Sequence, residues 1–210
     1  MDIPLNVEVT CSDEQVCGRS DCVLLNPVTK EITHLVVRTE GFIHQKQMVP
    51  VDLIVESTPH KIVLRCSQKE LAHLKPFTHV EYLDAYGEEY LSEPEITGPG
   101  AVYMWPYGMA ENGPMAVPIE DIPQGELGIH RGAAVEATDG RIGHVDEFLV
   151  NPDNSHITHL VLREGHLWGQ KDVTIPISDI KRLGEDVVYL NVNKHAIAQM
   201  PGTPIKRWWP

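Results

Sequence analysis

The chain has 210 residues, 42% of them apolar and 22% charged, with a formal net charge of −13. Such a composition describes a folded protein with a core of useful size, not a disordered one. The acidic excess, with no cluster of Lys and Arg, argues against nucleic-acid binding, and no apolar run approaches the ~18–20 residues that would span a bilayer.

The opening MDIPLNVEVT carries neither a basic n-region nor an apolar h-region, so a cytoplasmic location is expected. Charge is spread unevenly. Residues 1–71 hold 7 basic and 10 acidic side chains, residues 133–210 hold 8 and 10, and residues 72–132 hold 2 and 10. An acidic centre between near-neutral ends suggests three segments.

In chain order, VCGRSDCVLLN (16–26) starts at a glycine and rises into an apolar run. The turn NPVTKE (26–31) follows, with Asn-Pro as initiator, and then the strand ITHLVVR (32–38), so this pair reads as a hairpin. MVPVDLIV (48–55) places Pro50 inside a strand-like run, which fits an edge, a bulge or a corner. HKIVLR (60–65) is a further strand, and Ser67-Gln68-Lys69-Glu70 has the capping-box pattern that starts a helix. After the acidic centre the same series returns: RIGHVDEFLVN (141–151), NPDNSH (151–156), ITHLVLR (157–163), VTIPISDI (173–180) and DVVYLN (186–191). Asn193 is placed to cap KHAIAQM (194–200).

The return is a repeat at an offset of 125 residues. CGRSDCVLLNP (17–27) aligns with IGHVDEFLVNP (142–152), so that Gly18 meets Gly143 and Asn26-Pro27 meets Asn151-Pro152. Gln45-Lys46 meets Gln170-Lys171, and a one-residue shift then aligns VPVDLI (49–54) with IPISDI (175–180). Similarity of this extent reads as internal duplication. Five or six short strands in ~70 residues, rich in Val, Ile and Leu, favour a small closed barrel, because closure removes exposed edges.

This ordered set, most clearly DGRIGHVDEFLVNPDNSHITHLVLREG (139–165) with VTIPISDI and DVVYL, resembles the PRC-barrel family. The first copy matches through Gly18, Asn26-Pro27, ITHLVVR and VPVDLI. The family includes the cytoplasmic domain of the photosynthetic reaction-centre H subunit and the C-terminal domain of a ribosome maturation factor, and the chain looks most like tandem PRC-barrel proteins. The resemblance implies small β-barrels used for docking. The expected fold is mainly β: two PRC-like barrels related by duplication, over 1–75 and 131–200. A long, irregular Pro/Gly/Tyr-rich connector over 76–130 joins them, and a C-terminal tail covers 201–210.

Side chains of chemical interest are few. Cys11, Cys17, Cys22 and Cys66 contain no CxxC, and Cys17 aligns with Ile142 and Cys66 with Val192, so they read as reduced, structural core thiols rather than a zinc site. His156 and His159 in HITH lie three apart on a strand, on opposite faces, and make a poor metal pair. His34 and His159 are the repeated histidines. Parity groups His34 with Ile32, Val36 and Arg38, and His159 with Ile157, Val161 and Arg163; each is a hydrogen-bonded, partly buried histidine or an interface histidine sensitive to pH. No GxSxG, P-loop, GxGxxG or HExxH occurs. No catalytic residue, metal or cofactor is expected, and the chain does not read as an enzyme.

The aromatic side chains are the other candidates. Within GPGAVYMWPYGMAENGPMAVP (98–118), Tyr103, Trp105 and Tyr107 either pack into grooves of the barrels or face a partner. The loops RTEGFIHQKQ (38–47) and REGHLWGQKD (163–172) present Phe42 and Ile43 in one copy, Leu167 and Trp168 in the other. A tryptophan at a glycine-flanked tip finds cover either on the sister barrel and connector or on a second molecule. The expected function is therefore a non-catalytic adaptor or scaffold that docks another protein, a membrane-associated complex being one setting, with a homodimer also open. A small-molecule or metal sensor using the inter-barrel cleft is the alternative.

Overall fold

The computed structural model describes residues 1–39, 45–83, 115–164 and 172–200. These residues are mainly β, with two five-residue helices. The chain forms one compact unit over 1–77 and 121–210 and a second over 78–120.

Two sheets make up the larger unit. In the first, β2 (Glu8–Thr10), β3 (Val16–Asn26), β4 (Glu31–Thr39), β5 (Lys46–Pro50), β6 (Ile54–Thr58) and β7 (Lys61–Leu64) pair in the order β5-β4-β3-β2-β7-β6. In the second, β11 (Ala134–Ala137), β12 (Gly140–Val150), β13 (Ile157–Glu164), β14 (Asp172–Pro176), β15 (Ile180–Arg182) and β16 (Val187–Leu190) pair in the order β14-β13-β12-β11-β16-β15. The two orders are the same position by position, and the parallel pairs, β2 with β7 and β11 with β16, also correspond. Neither ladder closes on itself among the described residues.

Local chemistry explains the corners. Asn26 Oδ1 accepts from the amides of Val28 and Thr29, and Asn151 Oδ1 from that of Asp153. These side-chain turns start the β3–β4 and β12–β13 hairpins. Lys30 and Ser155, at φ 59° and 56°, complete the two turns. Pro50 and Pro176 each precede a single 3-10 turn, Val51–Leu53 and Ile177–Asp179, so the prolines mark corners where their missing N–H costs no ladder bond. Ser67 and Glu70 form a full capping box on α1 (Gln68–Ala72), and Asn193 Oδ1 caps α2 (Lys194–Ala198) by accepting from the Ala196 amide.

Each sheet takes a seventh strand that lies in sequence beside the other sheet. β1 (Asp2–Pro4) pairs antiparallel with β12, and β10 (Leu127–His130) pairs antiparallel with β3. Residues of both sheets, with Ile3 from β1 and Ile129 from β10, then belong to one continuous apolar core. The strands are exchanged, and the core is shared.

Residues 76–130, expected to be irregular, contain strands at both ends. β8 (Thr78–Leu83) and β9 (Met115–Glu120) form an antiparallel hairpin in the smaller unit, and β10 belongs to the first sheet. Upstream, Met48 N–H donates to Lys75 O and Phe77 N–H to Lys46 O, so residues 75–77 run along the β5 edge. The parity expected around the histidines also differs. Thr33 is an extra residue in β4, because Leu24 pairs with His34 and Leu25 with Ile32. Its hydroxyl donates to Leu24 O, as that of Thr158 does to Leu149 O. The bulge puts Ile32 in the main core with Leu35 and Val37, while Val36 joins Cys22, Leu24, Met48 and Phe77 in a smaller cluster.

Candidate functional site

A second bulge in each sheet gathers charge. Register shifts between Ser20 and Cys22 in β3, and between Val145 and Glu147 in β12, leave Asp21 and Asp146 as extra residues. A bulge turns a side chain that alternation would send elsewhere. Asp146 is buried and takes two guanidinium groups. Arg131 donates from Nε and Nη2 to Oδ1 at 3.1 and 3.0 Å, and Arg163 donates from Nη2 to Oδ2 at 3.5 Å. Asp21 takes the Lys46 ammonium at 2.9 Å. That ammonium also lies 5.7 Å from the centre of the Phe77 ring.

Asp146 lies at a cleft of about 300 Å³ whose lining includes Pro4, Asn6, His60, Arg131 and Arg163. The cleft wall is stiff where β1 turns into β2. Asn6 sits at φ 64°, Ser20 Oγ is buried and donates to Pro4 O at 2.9 Å, and it accepts from the Val7 amide at 3.0 Å. The volume matches the lower end for small-ligand pockets. Within the cleft Asp146 is matched by Arg131 and Arg163.

The repeated histidines occupy equivalent positions on β4 and β13, opposite Pro50 and Pro176. His34 is partly buried, with Nδ1 3.0 Å from Thr33 Oγ1 and 3.8 Å from Glu126 Oε2. His156 Nδ1 lies 3.1 Å from Thr29 O, at the contact between the two sheets. Phe42, Ile43, Trp105, Tyr107, Leu167 and Trp168, with the tail over 201–210, lie outside the described residues.

All four cysteines are free and buried. Burial raises the Cys17 thiol well above its ordinary value, and raises Cys11 and Cys66 as well. Cys17 Sγ lies 3.3 Å from Val9 O, to which it donates. For Cys11, Cys17 and Cys66 burial thus disfavours the thiolate, the nucleophilic form.

Sequence reasoning passed over the bulge carboxylates. The signal was present, because Asp21 aligns with Asp146 within the repeated strand and Arg38 aligns with Arg163. An acid repeated in a core strand requires a partner.

No curated protein matches the chain. Residues 131–197 match the family model of the PRC-barrel domain, a span that contains β11 to β16 and all but the last residue of α2. This segment, about a third of the chain, is thus a PRC-barrel domain by its sequence match.

Proposed function

We propose that the protein is a non-catalytic adaptor that docks another protein, built from two PRC-like barrels that arose by duplication. The first barrel, over 1–75, is the partner of the matched one, and residues 76–130 are the connector. The observation that carries the reading is the shared core. Two sheets of the same strand order exchange β1 and β10 and bury one apolar cluster, which suits a platform for docking. The charged groups at the bulges are committed to ion pairs within that platform. The loops carrying Phe42 and Trp168, and the aromatic connector with Trp105 and Tyr107, supply anchors of the kind that dominate docking energies. The setting is cytoplasmic, and a membrane-associated complex suits it, although no described helix is long and apolar enough to cross a membrane.

The test is capture by the full chain from its native cells, followed by reconstitution with the purified captured protein. A stoichiometric complex that weakens by at least ~30-fold in Trp168→Ala, about 2 kcal/mol, supports the reading. Turnover of a small substrate by the chain alone would overturn it.

The cleft beside Asp146 favours a second reading, in which the chain senses a small molecule. A metabolite that raises the melting temperature of the wild type but not of Arg131→Ala would select it.

A further inference from the structure

We propose that Asp21, Cys22 and His130 form a transition-metal site, of the zinc class, that ties the exchanged strand β10 to the first sheet. One ligand atom from each of these residues lies within 4.8 Å of the other two. Bonds of ~2.0–2.3 Å hold tetrahedral ligand atoms roughly 3.3–3.8 Å apart, so small side-chain rotations bring the three onto a single ion.

The convergence is built by the backbone. Neighbours on a regular strand point to opposite faces, so Asp21 and Cys22 would not share an ion. The bulge between Ser20 and Cys22 removes that restriction. Across the ladder, β10 sets His130 directly opposite Cys22. The histidine thus enters from the strand that arrives after the 78–120 unit, and the carboxylate and thiol from the middle of β3.

The donor set selects the metal. One thiolate, one imidazole and one carboxylate suit Zn²⁺ and its neighbours Co²⁺ and Fe²⁺, whereas Mg²⁺ and Ca²⁺ take oxygen shells. Cys22 is fully buried beside Leu24, Val36, Met48 and Phe77, so the sulfur side is dry. The Asp21 side chain retains 16% exposure, which leaves a path for the ion and a fourth position for water. On binding, the Cys22 thiol releases its proton to solvent as the sulfur–metal bond forms.

The other sheet shows what a metal-free version of this bulge contains. By the 125-residue offset Glu147 stands at the place of Cys22, and across the ladder Pro4 lies opposite it, where His130 lies opposite Cys22. There the bulge carboxylate, Asp146, is matched by two arginines. At Asp21 a single Lys46 is joined by a sulfur and an imidazole. Where the first sheet carries Cys22 and His130 the second carries Glu147 and Pro4, and the site is independent of the adaptor reading.

The test uses the full chain, reduced and stripped with chelator, titrated with Co²⁺. One Co²⁺ per chain, with a thiolate-to-cobalt charge-transfer band and tetrahedral d–d absorption, is expected. Zn²⁺ should bleach both and raise the melting temperature. Cys22→Ser should abolish the charge-transfer band, and His130→Gln and Asp21→Asn should each weaken binding by at least ~10-fold. His130→Gln keeps the backbone pairing of β10, so it remains informative if Cys22→Ser does not fold. Absence of the band in the wild type, its loss in Cys11→Ser but not in Cys22→Ser, or an unchanged affinity in His130→Gln would each overturn the assignment.

Discussion

Glu31 and His156, which occupy the same place in the two sheets at the 125-residue offset, pair with each other in an antiparallel bridge. The flanking bonds are reciprocal. Ile32 N–H donates to Ser155 O at 3.0 Å, and Ile157 N–H donates to Lys30 O at 2.9 Å. Like meets like, as across a two-fold axis. The exchange of β1 and β10 follows the same pattern, and it links the stability of each sheet to residues outside its own stretch of sequence.

Ile3 tests that linkage. It is fully buried and lies opposite Phe148 of β12. Ile3→Ala should destabilise the protein by about 2–5 kcal/mol through lost burial and a residual cavity. Amide exchange should accelerate first in β12, well away in sequence, and not only beside the substitution. Hydrogen exchange resolved by residue checks this. Unchanged protection in β12 would remove β1 from the second sheet.

Asp146 is the acceptor for two half-exposed arginines, so its loss leaves cations in water more than in the core. Asp146→Asn should cost about 1–2 kcal/mol after solvent screening is allowed for. The two-bond contact from Arg131, at 3.1 and 3.0 Å, should show the larger coupling energy in a double-mutant cycle, and the 3.5 Å contact from Arg163 the smaller.

Gly18 admits no side chain. A Cβ there would lie 2.3 Å from Arg38 O, a backbone atom of the paired strand. Gly18→Ala should open the β3–β4 ladder and destabilise by more than ~3 kcal/mol, read as a fall in denaturation midpoint.

The core thiols make an alkaline prediction. Burial raises Cys17 above the ordinary thiol value of 9.0, so the folded state holds a proton that the unfolded state releases. Stability from this source is complete below about pH 9 and is lost as pH rises above it. Replacement by Val, close in shape to the Ile142 of the second sheet, should flatten the alkaline limb of a melting-temperature profile. A limb that is equally steep in Cys17→Val would assign the loss to other groups.

Much of the fold was legible because it is local. Asn26 and Asn151 announce their hairpins, Pro50 and Pro176 their corners, and Ser67 with Glu70 a helix start, each through bonds within a few residues. The exchange of β1 and β10 was not legible, since pairing Asp2 with Leu149 leaves no mark on the neighbours of either. Strand parity around His34 failed at Thr33, where one inserted residue inverts the alternation. The bulge aspartates were visible as an aligned pair, but Arg131 reaches Asp146 from another strand connection, and no spacing rule links them. The aromatic loop tips lie outside the described residues.

The exchanged strands also set a timetable for the nascent chain. As the ribosome releases residues in order, the first sheet can assemble β2 to β7, but its place beside β3 stays open until Leu127–His130 emerge. β1, made before both sheets, has no partner until β12 follows at Gly140–Val150. For most of synthesis, then, the nascent chain displays an open β3 edge and an unpaired apolar strand, the kind of surface that binds holdase chaperones or associates with a neighbouring chain on the same polysome. Completion waits on long-range pairing, and refolding of the full chain should be slow for its size.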